Sequence, residues 1–167
     1  DNMSNCDISG FEGVKKITGR EDIPFYEIDC CDFASVDKVF TEHQIDAVIH
    51  FAAFKAVGES VSEPIKYYSN NLVSFLNILE VARKHGGCNV LFSSSATVYG
   101  EAKDLPVTEQ TPRMPAMSPY GNTKTMCEDI LRDVVYATST QDAVVKGIAL
   151  RYFNPIGAHK SGRIGEN

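Results

Sequence analysis

The sequence predicts an α/β fold, a Rossmann-type doubly wound parallel sheet, from three observations. Short β-like apolar runs alternate with segments of helical period along the whole chain, as in strands joined by crossover helices. No internal repeat, low-complexity tract or long charge block breaks the alternation. Polar residues stand just past the apolar runs, at Asp29, Lys55, Ser93 to Ser95 and Asn154, where open parallel sheets bind ligands. All of them are expected on one edge.

Taken in order, PFYEID (Pro24 to Asp29) reads as a strand, FASVDKVFTEH (Phe33 to His43) as a helix and DAVIHFAA (Asp46 to Ala53) as a buried strand. A long helix follows from Pro64 to Lys84, with Leu72, Phe75, Leu76, Leu79 and Ala82 at helical spacing. NVLFSSS (Asn89 to Ser95) is the next strand, and a mostly irregular segment leads to a helix beginning near Ser118. KGIALRYF (Lys146 to Phe153) is the last strand, entering a glycine-rich tail. No G-x-G-x-x-G follows a strand, and the first residue is Asp1 with no initiating Met. The sheet is therefore expected to be incomplete, an internal fragment lacking the first strand with its glycine loop. In a 3-2-1-4-5-6 sheet that strand is central, so PFYEID would lack its neighbour and stand roughly 14 Å from DAVIHF. The isolated chain is expected to rearrange or fold poorly.

Composition narrows the function classes. A 167-residue chain with 43% hydrophobic content can bury a core of its own. A formal charge of −6 without a Lys/Arg run suggests no nucleic-acid or anionic-membrane partner. No apolar run approaches the ~18 residues that cross a bilayer, and DNMSNCDISG has neither the basic nor the apolar part of a signal peptide. A soluble, intracellular protein is expected. Five scattered cysteines, Cys6, Cys30, Cys31, Cys88 and Cys127, read as reduced thiols, and none has metal-ligand spacing with the four histidines. Cys88 and Cys127 read as core.

The stretch SPYGNTKTMCEDIL sets Tyr120 and Lys124 four residues apart at the start of an amphipathic helix. Four helical residues advance about 6 Å and 400°, so phenol and ammonium share one face. A tyrosine acting as a base at pH 7 needs its pKa lowered by about three units from 10, about 4 kcal/mol, which a lysine cation beside it can help supply. By itself the pair is equally compatible with a packed tyrosine and a solvated lysine.

The neighbouring blocks decide between these readings. HFAAFKAVGES (His50 to Ser60), YYSNN (Tyr67 to Asn71), FSSSATVYG (Phe92 to Gly100), SPYGNTK (Ser118 to Lys124) and LRYFNPIGAH (Leu150 to His159) together resemble the extended short-chain dehydrogenase/reductase family, in its order and over nearly the whole chain. KAVGES and SSSATVYG resemble its members that epimerise UDP-hexoses. Dehydratases of the family carry Asp-Glu where this chain has Ala96-Thr97.

The resemblance implies a catalytic set of Ser95, Tyr120 and Lys124. Ser95 would bond the sugar hydroxyl at C4, Tyr120 would be the general base, and Lys124 would hold the nicotinamide ribose and depress the tyrosine pKa. NAD is the implied cofactor, UDP-galactose and UDP-glucose the implied substrates, and a homodimer through the two long helices the implied assembly. Asp1, Asn2 and Asn5 would lie on the adenosine side, Asp1 excluding a 2′-phosphate. A frayed Asp1 without a partner is the competing reading in this chain, and Cys6 replaces a usual serine. Asp29 and Cys30 would flank the adenine, Asp29 being equally readable as a helix N-terminal carboxylate. Phe51, Ala52 and Ala53 would line the cofactor path, Ala53 replacing a glycine. Lys55 would reach ribose and substrate. Asn71 is either a cofactor contact or a satisfied core amide. Ser93, Tyr152 and Phe153 would complete the nicotinamide wall, with Asn154 on the substrate side. The resemblance also implies that the chain is part of an NAD-binding domain without its substrate domain, and that it neither retains NAD nor turns over when isolated.

Overall fold

A computed structural model of the chain describes residues 1–103 and 105–165. The chain forms two compact units, residues 29–153 and a smaller one of residues 1–28 with the segment from Asn154 onward.

The larger unit is built on three parallel strands, β1 (Ala47–His50), β2 (Asn89–Ser95) and β3 (Lys146–Tyr152), in the order β1-β2-β3. Their register pairs His50 with Phe92 and Ser95 with Tyr152, so the strands end at one edge. In the smaller unit, α1 (Ser9–Thr18) stops at Gly19, left-handed at φ 68°, whose N–H donates to the Lys15 carbonyl at 2.8 Å. In the larger unit, α2 (Phe33–Glu42) starts at Asp32, whose carboxylate accepts from Ala34 N, and buries Val36 and Phe40. A short α3 (Val57–Ser62) is fastened to the next helix by Glu59, which accepts from Tyr67 Oη and Lys66 Nζ, both at 2.6 Å.

The two long helices are α4 (Pro64–Lys84) and α5 (Pro119–Thr138), each opening with proline at its first turn, where the missing N–H costs nothing. Their buried stripes, Tyr67-Asn71-Ser74-Phe75-Ile78-Leu79 and Thr123-Lys124-Cys127-Glu128-Leu131, recur every three to four residues. α4 packs on α5, and α5 on β2 and β3. Gly87 ends the turn after α4 at φ 86°, donating to Ala82 O, and a Cβ there would stand 2.1 Å from the Val144 carbonyl. Among the described residues no helix is long and apolar enough to cross a membrane.

Two expectations need correction. PFYEID forms no strand; in the smaller unit Asp1 donates from its N-terminus to Tyr26 O and accepts from Ile28 N, the two-bond exchange of a parallel pair, without extending into a ladder. DAVIHFAA is strand only over Ala47–His50 and is not a buried strand, since Ile49 is 60% exposed. Val90, Phe92 and Ser94 of β2 are buried, whereas Ile49, Ile148 and Leu150 are exposed, so one face of the larger unit's sheet is covered and the doubly wound arrangement is incomplete, as expected. The irregular segment after β2 contains a 3-10 turn, Ala96–Tyr99, and α1 and α3 were not legible from apolar period.

Candidate active site

Ser118 accepts from Gly121 N at 3.1 Å and so caps α5, which sets the helix start and with it the position of Tyr120 in the first turn. Lys124 follows one turn later and is buried at 4% exposure. Its Nζ donates to the Ser93 carbonyl at 2.7 Å, stands 4.9 Å from the centre of the Phe92 ring and 5.7 Å from that of Tyr120. Burial pulls the ammonium down to about 8, against a small opposing effect of Cys127, which leaves it charged at pH 7. Cation and phenol thus share one face at the end of β2.

Ser95 ends β2, buried, and its Oγ accepts from Thr97 N at 3.2 Å. The hydroxyl proton points elsewhere, because this bond uses a lone pair. Thr97 Oγ1 is itself buried without a partner among the described residues, a polar atom in want of a ligand or water. Phe51, 62% exposed, meets the Tyr152 ring at 6.4 Å across the end of β2, and Phe153 stacks on Tyr99 at 6.5 Å. Ser93 is half-buried. Exposed aromatic faces at the carboxyl ends of β1 and β3, with a buried lysine at the end of β2, suit a flat heteroaromatic ring carried on a ribose, so the residues fit a nicotinamide nucleotide.

Ala52, Ala53 and Lys55 lie in the loop after β1, with Ala53 half-buried and Ala52 and Lys55 exposed. Asn71 clamps that loop. Its Oδ1 accepts from Phe54 N at 2.8 Å and from Asn70 Nδ2 at 3.0 Å, and its Nδ2 donates to Phe54 O at 3.1 Å and Thr123 Oγ1 at 3.2 Å. Both protons and both lone-pair sites are engaged, so Asn71 is the core amide that positions the loop. Asn70, its half-buried neighbour, meets the Cys31 thiol at 3.8 Å and keeps more capacity for a ligand; the sequence pair Asn-Asn carried no signal to choose between them. Changing Asn71 to Leu is expected to cost about 3 kcal/mol in denaturant unfolding, because the N–H and C=O of Phe54 lose their partner.

Asp29 does not cap a helix: its Oδ1 accepts from Cys31 N at 2.7 Å in a tight turn, and Asp32 is the cap of α2. Cys30 is half-buried, its carbonyl accepting from Asn77 Nδ2 at 3.0 Å. Within the smaller unit Asp1 is not frayed. Its Oδ1 accepts from Met3 N at 2.7 Å and from the Cys6 thiol at 3.4 Å, so Cys6 does serve the turn in place of serine. Asn2 Oδ1 accepts from Ser4 N at 3.2 Å, while Asn5 and Asn154 are exposed. Ser93 to Ser95 close β2, Lys55 lies in the loop after β1 and Asn154 stands two residues past β3, whereas Asp29 follows no strand.

His50, missed in the sequence, closes β1 beneath the site, buried against Phe75 at 5.1 Å. Burial, and then the Lys124 charge, bring its imidazole down to about 4 from 6.5. The unfolded chain takes up that proton near pH 6.5 and the folded one only near 4, so stability present above pH 6.5 is lost as pH falls through that window, about 3 kcal/mol in all. Thermal unfolding of a His50→Leu variant is expected to lose that acid sensitivity. All five cysteines are free thiols, Cys88 and Cys127 buried, and no metal-holding cluster of His, Cys, Asp or Glu occurs among the described residues.

Residues 2–167 match the family described as GDP-mannose 4,6 dehydratase. The UDP-glucose 4-epimerase of Bacillus subtilis is 51% identical over 167 residues, covering all of this chain and 48% of that protein. The crystal structure of UDP-glucose 4-epimerase from Bifidobacterium longum in complex with NAD+ and UDP superposes with a TM-score of 0.94 at 49% identity, covering all of this chain and 48% of the other. The Stenotrophomonas maltophila UDP-glucose-4-epimerase with bound NAD and formylated UDP-arabinopyranose gives 0.91 at 41% identity, with the same coverage. The chain spans about half the length of these relatives. A partial Rossmann fold, a buried lysine one turn behind a tyrosine and a match along the chain converge: the chain belongs to the family described as GDP-mannose 4,6 dehydratase, and along its whole length it is similar to UDP-glucose 4-epimerases.

Proposed function

We propose that the chain is part of the NAD-binding domain of an enzyme that interconverts UDP-galactose and UDP-glucose, acting as a homodimer in the cytoplasm. The observation that carries the reading is the grouping of Lys124 with Tyr120 on one helix face at the end of the strand bearing Ser95, where Ala96-Thr97 supplies no carboxyl pair for dehydration. Ser95, Tyr120 and Lys124 are the catalytic residues of this reading. Lys124, Ser93, Tyr152, Phe153, Phe51, Ala52, Ala53, Lys55, Asp29 and Cys30 form the cofactor side, with Asp1, Asn2 and Asn5 toward adenosine. Lys55, Ser95, Tyr120 and Asn154 meet the substrate, and Asn71 acts through the loop it clamps.

When bound, NAD supplies the acceptor and later the donor of the C4 hydride. Ser95, its Oγ already accepting from Thr97 N, turns its proton toward the sugar hydroxyl at C4 and orients it. Tyr120 takes the C4 hydroxyl proton as the general base, with the Lys124 ammonium 5.7 Å from its ring centre. After the 4-keto sugar turns over in the pocket, Tyr120 returns the proton and the configuration at C4 inverts. The helices α4 and α5 are the candidate dimer faces, with Leu76 and Met126 exposed on them. Sedimentation of the complete protein as a monomer at micromolar concentration would rule the dimer out. The five free thiols suit a reducing compartment.

The test is conversion of UDP-galactose to UDP-glucose by the complete protein without added NAD. Turnover supports the reading; a folded, NAD-loaded protein that leaves UDP-galactose unchanged refutes it.

A further inference from the structure

Glu128 lies one helical turn beyond Lys124 on α5 and is 8% exposed. Its carboxylate receives four bonds: Ser94 Oγ at 2.6 Å and Arg151 Nε at 2.9 Å on Oε1, Arg151 Nη2 at 2.8 Å and Arg113 Nη1 at 3.3 Å on Oε2. Burial works to raise its pKa, but the bonds from Arg151 and Ser94 outweigh that and hold the carboxyl below its ordinary range. Arg151 also covers the Tyr99 ring at 4.9 Å, which stacks on Phe153, and Arg113 bonds the Thr125 carbonyl at 3.3 Å and pairs with Asp129. One carboxylate thus joins α5, the ends of β2 and β3, and the segment before α5.

Ser94 is the middle of three serines. Ser93 offers its carbonyl to Lys124, and Ser95 is the hydroxyl assigned to the sugar. In a strand successive side chains point to opposite faces, so locking Ser94 toward α5 directs Ser95 to the other face and fixes the Ser93 carbonyl between them. We propose that Glu128 is a positioning residue for the catalytic set, its clamp on Ser94 and Arg151 setting the register of α5 so that Lys124 meets Ser93 and Tyr120 faces the Ser95 end of β2. The inference rests on the epimerase reading above.

A buried ion pair that only stabilises would show itself in unfolding and leave the loaded site intact. Glu128→Gln keeps shape and removes charge, and Ser94→Ala deletes one hydroxyl, a change small enough to fold. In the complete protein each is expected to lower kcat per bound NAD between about 10- and 100-fold with KM within about twofold, the scale of a sub-ångström to ångström displacement of reacting groups. The double variant is expected to lose no more than Glu128→Gln alone, since both changes break one clamp. Amide hydrogen exchange of residues 93–97 and 120–124 should quicken in Ser94→Ala while that of residues 64–84 stays as in the wild type. Unchanged kcat per bound NAD in both folded variants overturns the proposal. If the wild type does not convert UDP-galactose, the epimerase reading fails and exchange alone decides: local quickening supports the clamp, and none refutes it.

Discussion

Replacing Tyr120 by Phe in the complete protein is expected to lower kcat for UDP-galactose conversion at least about 10²-fold with little change in KM, the loss that follows removal of a positioned acid/base. The change deletes one oxygen and leaves the ring, the Ser118 cap and the Lys124 contact in place. Folding and NAD retention should therefore match the wild type, and cofactor stoichiometry checks that directly. A phenylalanine variant within threefold of wild type would remove Tyr120 from the chemistry and shift the proton transfer to Ser95 or to water.

Lys124→Met is the second large effect, and its signature is the pH profile. The wild-type ammonium, pulled by burial down to about 8, is still protonated at pH 7. It places a positive charge 5.7 Å from the centre of the Tyr120 ring, where a proton is taken and returned in the proposed reaction. Without that charge kcat at pH 7 is expected to fall by about 10²- to 10³-fold, and the change that the wild type shows through about pH 8, where its ammonium is lost, is expected to be absent from the variant. Methionine fills the space over Phe92, and loss of an unfavourably buried charge offsets the broken bond to Ser93. Unchanged kcat with the wild-type pH profile would show that the lysine only fills space.

The helices were legible to within a residue or two where local chemistry marks their ends. Ser118-Pro119 and Glu63-Pro64 open α5 and α4, and the pair Gly86-Gly87 follows the end of α4. β2 was legible as well, because its β-branched and aromatic run is bounded by Gly-Gly and a serine run. PFYEID failed for a physical reason: a strand is a pairing and not a property of six residues, and its sequence has the right composition with one residue to pair with. α3 failed because six residues carry too little apolar period to register.

By itself the sequence determined the α/β alternation, the two long helices and the common face of Tyr120 and Lys124, since helical period and capping act within a few residues. Tertiary structure alone decided that Lys124 rests on a carbonyl 31 residues away, that Asn71 is spent on Phe54 and on a threonine 52 residues away, and that Glu128 binds a serine 34 residues back. It also decided that His50 is neutral and Asp1 paired. Partner choice and desolvation depend on which elements meet, and neither is encoded in the spacing of a single segment.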